Sequence, residues 1–182
     1  MSSIVGQLVE PYATALMSVA KSNNTTEDFG NQMRSLIDLL KNSPELQDFL
    51  GSPVVKGEDK KAVITRLLGE EVHPYLRNFL MLLVDRGRIL FLAEIAQEYL
   101  ALLRKLNQTV LAEVTSAVEL NDDQKHMVVE QIKARTGAHN VELDLKIDRE
   151  ILGGVIIKAG SQLFDASIRG QLRRIGMSLT VG

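Results

Sequence analysis

Apolar residues recur every three or four positions up to about residue 106 and every second position after it, so two kinds of architecture follow each other in one chain. Phe29, Met33, Leu36, Ile37 and Leu40 fall at i, i+4, i+7, i+8 and i+11, a single helical stripe. The stripe follows Thr25-Thr26-Glu27-Asp28, whose side-chain oxygens suit the free amides of a first helical turn. Ahead of it, Tyr12, Ala15, Leu16 and Val19 form a shorter stripe. Pro11 has no amide hydrogen and fits a first turn, so residues 4–9 are expected to be a separate arm or a kinked start. Ser43-Pro44-Glu45 opens a short helix through Phe49, which Gly51 and Pro53 end. A fourth helix is predicted from Glu58 to Leu68, stopped by Gly69. The fifth begins at Pro74, and its Tyr75, Leu76, Phe79, Leu80, Met81, Leu82, Leu83 and Val84 are apolar nearly all round, the mark of a central helix. After Gly87, the residues Ile89, Leu92, Ala96, Tyr99, Leu103 and Leu106 continue a long sixth helix.

Near Asn107 the period changes from about 3.6 to about 2. Val110, Ala112, Val114, Ser116 and Val118 share one side of a predicted strand, with Thr109, Glu113, Thr115 and Glu119 on the other. Asn121-Asp122-Asp123-Gln124 caps a helix that points Val128 and Ile132 inward and stops at Gly137. Val141, Leu143, Leu145 and Ile147 then alternate with charged residues, Gly153-Gly154 breaks the pattern, Val155 to Ala159 resume it, and Leu163-Phe164 allow a last short strand. Asp165 stands where the cap of a final helix belongs, with Ile168, Leu172, Ile175 and Leu179 at i, i+4, i+7 and i+11. The fold class read from these patterns is α+β: a six-helix bundle over residues 1–106, then a β-α-β-β-α domain over 107–182.

Composition narrows the function. The 182 residues hold 21 Lys plus Arg against 23 Asp plus Glu, three His, and neither Cys nor Trp. Without cysteine there is no disulfide framework, thiol nucleophile or Cys-bound metal. A net charge of −2 gives no global attraction to nucleic acid. The longest purely apolar run, Phe79 to Val84, is far short of the roughly 20 residues a membrane helix needs. Glu10 precedes the first basic residue, Lys21, unlike the start of a signal peptide or of an Arg-rich import sequence, so the chain is expected to work where it is made.

Reactive constellations are sparse. His73 lies before Pro74 at a helix start, His126 on a polar helix face and His139 in a loop, and none has metal-ligand spacing. Glu70-Glu71 beside His73 read as a solvated turn between helices. Gly153-Gly154 and Gly160 lack the Gly-Lys-Ser/Thr ending of a phosphate loop, and read as a kink or bulge between strands. No Gly-x-Ser-x-Gly elbow marks a nucleophile. No catalytic, cofactor-binding or metal-binding residue is therefore assigned, and no cofactor. What remains is Arg169, Arg173 and Arg174 in a segment, residues 166–182, that has no acidic side chain: a solvated face, or a docking surface for an acidic helix or a phosphate backbone. A binding or structural role is favoured over an enzyme.

Three stretches carry a family resemblance: Tyr12-Ala13-Thr14-Ala15-Leu16; Asn78 through Asp85-Arg86-Gly87-Arg88; and Leu152-Gly153-Gly154-Val155 through Gly160 to Asp165-Ala166-Ser167-Ile168-Arg169-Gly170-Gln171-Leu172. Together they resemble the delta subunit family of bacterial and chloroplast F-type ATP synthases, whose mitochondrial counterpart is the oligomycin-sensitivity-conferring protein. The resemblance implies a non-catalytic stator subunit, held to the energy-transducing membrane, plasma or thylakoid, through the complex on its cytoplasmic or stromal side. In that family the helical domain binds N-terminal helices of the alpha subunits of the catalytic head, and the C-terminal domain binds the b-type subunits of the peripheral stalk. Tyr12, Ala15, Leu16, Val19, Phe79 and Leu83 are the expected head-binding residues, lining an apolar groove. Ile168, Arg169, Leu172, Arg173 and Arg174 are the expected stalk-binding residues, with charge setting the register. The alternative is a nucleic-acid-binding or ribosome-associated adaptor using the basic C-terminal helix, against which stand the acidic balance and the absence of a Gly-x-x-Gly loop or paired strand aromatics.

Overall fold

The structure, a computed structural model, describes residues 3–69 and 72–172. The chain divides into two compact units, Met1–Leu103 and Arg104–Gly182. The fold is α+β, as the two periods require.

The first unit is built from α1 (Ser3–Ser22), α2 (Thr26–Asn42), α3 (Pro44–Gly51), α4 (Gly57–Leu68), α5 (Pro74–Asp85), a 3-10 turn at Ile89–Phe91 and α6 (Leu92–Leu106), whose last turn groups with the second unit. Of the two expectations at Pro11, the separate arm does not occur: α1 runs unbroken through it. Proline removes one amide donor and crowds the preceding turn. Here Pro11 sits on the exposed side of α1, as does Gln7 one turn earlier, where water can reach the carbonyl left without a partner. The buried stripe is then Val9, Ala13, Leu16, Met17 and Ala20, longer than the one expected from Tyr12 to Val19.

These residues pack with Phe29, Met33, Leu36, Ile37 and Leu40 of α2, Leu76, Leu80 and Leu83 of α5, and Ile95, Ala96, Tyr99 and Leu103 of α6. A Cβ on Gly30 would stand 2.5 Å from Leu103 Cδ2, so glycine leaves room on α2 for the end of that α6 side chain. Two polar ties fix the ends of elements. The Tyr99 hydroxyl donates to the Thr26 carbonyl at 3.0 Å. Burial pushes this phenol up to about 12, with a smaller contribution from the Glu27 carboxylate. The Lys60 ammonium donates to the Leu50 and Ser52 carbonyls, both at 2.7 Å, and so satisfies oxygens at the end of α3.

The second unit contains β1 (Thr109–Ser116), α7 (Asp122–Thr136), β2 (Asn140–Ile147), a 3-10 turn at Arg149–Ile151, β3 (Val155–Ala159), β4 (Gln162–Asp165) and helical backbone over 168–172. The strand order is β2-β1-β3-β4, parallel between β1 and β2 and antiparallel elsewhere. A parallel pair needs a crossover, and α7 supplies it, held at its start by the reciprocal Asn121–Gln124 capping box. Val128 and Ile132 of α7 pack on Ala112 and Val114 of β1 and on Ile157 and Ala159 of β3. The other sheet face carries a charge cluster, with Lys158 at 3.3 Å and Lys146 at 4.0 Å from the Glu113 carboxylate.

Three sequence expectations change here. Val118 is not in the strand: β1 ends at Ser116, whose hydroxyl donates to the Val118 carbonyl at 2.7 Å and turns the chain, leaving Val118 exposed. Leu145 and Ile147 alternate correctly but lie exposed near the end of edge strand β2. The cap of the final helix is Ser167 rather than Asp165. Ile175 and Leu179, expected inside that helix, lie outside the described residues.

Candidate functional site

In the first unit, α1 and α5 leave between them a groove of about 460 Å³ lined by Pro11, Tyr12, Ala15, Leu16, Val19, Tyr75, Asn78, Phe79 and Leu82. On α1 these positions run from Pro11 to Val19, eight steps of 1.5 Å or about 12 Å, a little over two turns. Its surface is almost entirely carbon, with Asn78 and the tyrosine hydroxyls as the polar side-chain groups. The floor is rigid, because Leu16 is 2% exposed and belongs to the core. The rim is open, with Val19, Leu82 and Tyr75 exposed at 38%, 44% and 48%. His73 holds the rim: its Nδ1 accepts the Tyr75 amide at 3.3 Å, its ring stacks on Tyr75 with centroids 5.3 Å apart, and its edge meets Phe29 at 5.2 Å.

Five of the six residues expected to bind the head come together here: Tyr12, Ala15, Leu16, Val19 and Phe79. Leu83 does not, since it is fully buried and points into the core. The α5 stripe that faces the groove is instead Tyr75, Asn78, Phe79 and Leu82. On a helix that is apolar nearly all round, spacing alone cannot separate neighbouring stripes, which is how Leu82 and Leu83 exchanged roles.

In the second unit, Ile168 and Leu172 are exposed apolar residues four apart on the last described helical turns, at 47% and 58%, with Arg169 exposed beside Ile168. Arg173 and Arg174 lie outside the described residues. The sequence reading did not foresee a second cavity of about 330 Å³, between Gln131, Ile132 and Arg135 of α7 and Leu163 and Phe164 of β4. The Arg135 guanidinium lies 4.7 Å above the Phe164 ring, a cation-π contact. Its signal in the sequence was the i, i+4 pair Gln131 and Arg135 on a helix otherwise read only for its inward face.

The glycine-rich motif resolves into backbone geometry. Gly154 has φ +78°, and a Cβ there would lie 2.3 Å from the Ala166 carbonyl oxygen. Val155 O accepts the Ala166 amide at 2.9 Å and Gly153 O accepts the Ile168 amide at 3.0 Å, so the start of β3 is laced to the chain that follows β4. Of the expected kink or bulge, the structure has a kink just before β3, and it admits a close backbone crossing. Among the described residues no three His, Asp or Glu side chains converge in a way that would hold a metal.

Comparison with known proteins places these features. The family described as ATP synthase delta (OSCP) subunit matches residues 8–179. The chain is 61% identical over 179 residues to ATP synthase subunit delta of Trichodesmium erythraeum, covering 98% of each chain. It is 59% identical to the same subunit of Gloeothece citriformis, covering 98% of this chain and 97% of that one. Among solved structures it is similar to a chain of the mitochondrial ATP synthase hexamer of Toxoplasma gondii, with TM-score 0.74 and 25% identity over 95% of this chain and 97% of that chain.

Proposed function

Since this chain belongs to the ATP synthase delta (OSCP) subunit family, and is therefore a non-catalytic stator component of the F-type ATP synthase, we propose that its first unit holds the catalytic head by the α1–α5 groove. Its second unit holds the peripheral stalk. The ligand of the groove is an amphipathic helix from the N-terminus of an alpha subunit, laid along about two turns of α1 and α5. The stalk partner is the end of the b-type subunits, met by Ile168, Arg169 and Leu172, with Arg173 and Arg174 continuing the basic sequence. No helix among the described residues is long and apolar enough to cross a membrane, so association with the membrane is peripheral and runs through the complex. The chain faces the cytoplasmic or stromal side.

One observation carries the head-binding reading: a groove with a rigid apolar floor and an exposed apolar rim, in a chain with no membrane helix among its described residues to occupy such a surface. The physics of the task agrees with it. Rotation of a central shaft does useful work on the head only if the head cannot turn with it, so the joint must dissociate slowly. Nanomolar affinity corresponds to about 12 kcal/mol, within reach of a well-packed apolar interface of ordinary size. Leu16 is the wrong residue for a test, because a charge there enters the core.

The rim is the place to act. Val19→Asp combined with Leu82→Asp puts two carboxylates where a partner helix would bury them, while both remain solvated in the free subunit. The expected result is a folded subunit that loses head binding by at least about a hundredfold, roughly 2.7 kcal/mol at 1.36 per tenfold, with a head that still hydrolyses ATP but is uncoupled from proton movement. A folded double variant that binds the head as tightly as the parent would sink the groove assignment.

A further inference from the structure

The segment Asp165 to Gly170 joins the last strand to the helix that bears Ile168, Arg169 and Leu172. The Ser167 amide and hydroxyl both donate to Asp165 Oδ1, at 3.0 and 2.6 Å. The Ser167 hydroxyl oxygen in turn accepts the Gly170 amide at 3.0 Å, which caps the helix. Gly170 cannot carry a side chain in this arrangement, because a Cβ would stand 2.4 to 2.6 Å from the Asp165 carboxylate atoms. On the other flank, the Gly153 and Val155 carbonyls accept the Ile168 and Ala166 amides. Side-chain bonds and backbone bonds therefore clamp one helix start from two directions.

We infer that Ser167, Asp165 and Gly170 are positioning residues for stalk binding: they hold this helix in its binding-ready orientation. The inference rests on the reading of the helix as the stalk-binding surface. Ser167 is 2% exposed and Gly170 is buried, so neither can contribute a contact to a partner. A helix start in isolation is marginal in water, and a partner that meets a disordered segment must spend part of its binding energy on ordering it. The clamp removes that cost in advance.

The test measures affinity of the full-length chain for the b-type stalk subunits in four variants, with amide hydrogen exchange following the strands. Ser167→Ala removes the cap and is expected to weaken stalk binding roughly five- to thirtyfold. Ser167→Thr keeps the hydroxyl and is expected to bind within about twofold of the parent. Gly170→Ala separates positioning from helix stability. Alanine favours a helix over glycine, so if helix content alone mattered this variant would bind more tightly. If the clamp matters it binds more weakly, because the new methyl displaces the Asp165 carboxylate from Ser167. Leu172→Asp, on the surface itself, checks the underlying reading. Loss of binding in Leu172→Asp with parental binding in both Ser167→Ala and Gly170→Ala overturns the inference alone. Parental binding in Leu172→Asp overturns the surface assignment beneath it. Lost protection of β1 and β3 in Ser167→Ala and Gly170→Ala also overturns the inference, since these residues would then hold the sheet.

Discussion

The two units build their proposed helix-binding surfaces by opposite means. In the first, whole helices are the scaffold, and the groove is the gap between α1 and α5 above a floor that is itself core. In the second, the scaffold is a four-stranded sheet with a small aliphatic core, and the exposed apolar residues ride on a helix fixed at its start by hydrogen bonds and glycines. The groove is consequently robust to the loss of any one polar contact and vulnerable to changes in packing. The mounted helix has the reverse profile. On the proposed reading, a joint under torque gains from this division, because the two attachments would not share a mode of failure.

The sharpest way to break the comparison is to alter packing in the first unit. Leu83→Ala empties a fully buried position on α5 and is expected to cost about 3 kcal/mol of that unit's stability. Its neighbour Leu82→Ala, half exposed on the groove rim, is expected to cost under about 1 kcal/mol and to weaken head binding instead. Urea unfolding followed through the tyrosines, all of which lie in the first unit, checks both. Equal losses of stability in the two variants would mean that rim and core are not distinct.

The corresponding blow to the second unit is conformational. Gly154→Ala forces a methyl against the Ala166 carbonyl at a residue with φ +78°, and is expected to cost roughly 2 kcal/mol there while leaving the first unit unchanged. Hydrogen exchange resolved by segment would show protection lost in β3 and β4 and kept in α2 and α6. Protection lost in both units together would mean that they unfold as one.

What the sequence could and could not disclose follows the same division. Helix and strand periods were legible because burial imposes them, and so were the Asn121 cap and the kink at Gly153-Gly154, which are local chemistry. The continuity of α1 through Pro11 was not legible, because it depends on which side of the helix meets water. Nor was the exchange of Leu82 for Leu83, since a helix apolar on every side carries no phase. The capping role passed from Asp165 to Ser167 because both residue types accept amides, and only the backbone path decides which one faces the first turn. Tyr75 and Asn78 were missed as groove residues because a groove joins two helices distant in sequence, and neither helix shows it alone.

The smallest effect distinguishes the units by pH. The buried Tyr99 phenol is held protonated up to about 12 in the folded state, against about 10 for an ordinary tyrosine in the unfolded chain. A raised acid pKa means that the native state favours the neutral form, so this contribution to stability is complete below pH 10 and declines as pH rises through 12. The second unit contains no tyrosine and has no such term. Tyr99→Phe removes the hydroxyl bonded to the Thr26 carbonyl and is expected to cost about 1 kcal/mol near neutral pH. It also removes the titrating group, so between pH 10 and 12 the gap between parent and variant closes. Denaturant titrations of both proteins at pH 8, 10 and 11.5 measure that gap, and a gap that widens with alkali would contradict the role assigned to Tyr99 as a neutral, buried pin between α6 and α2.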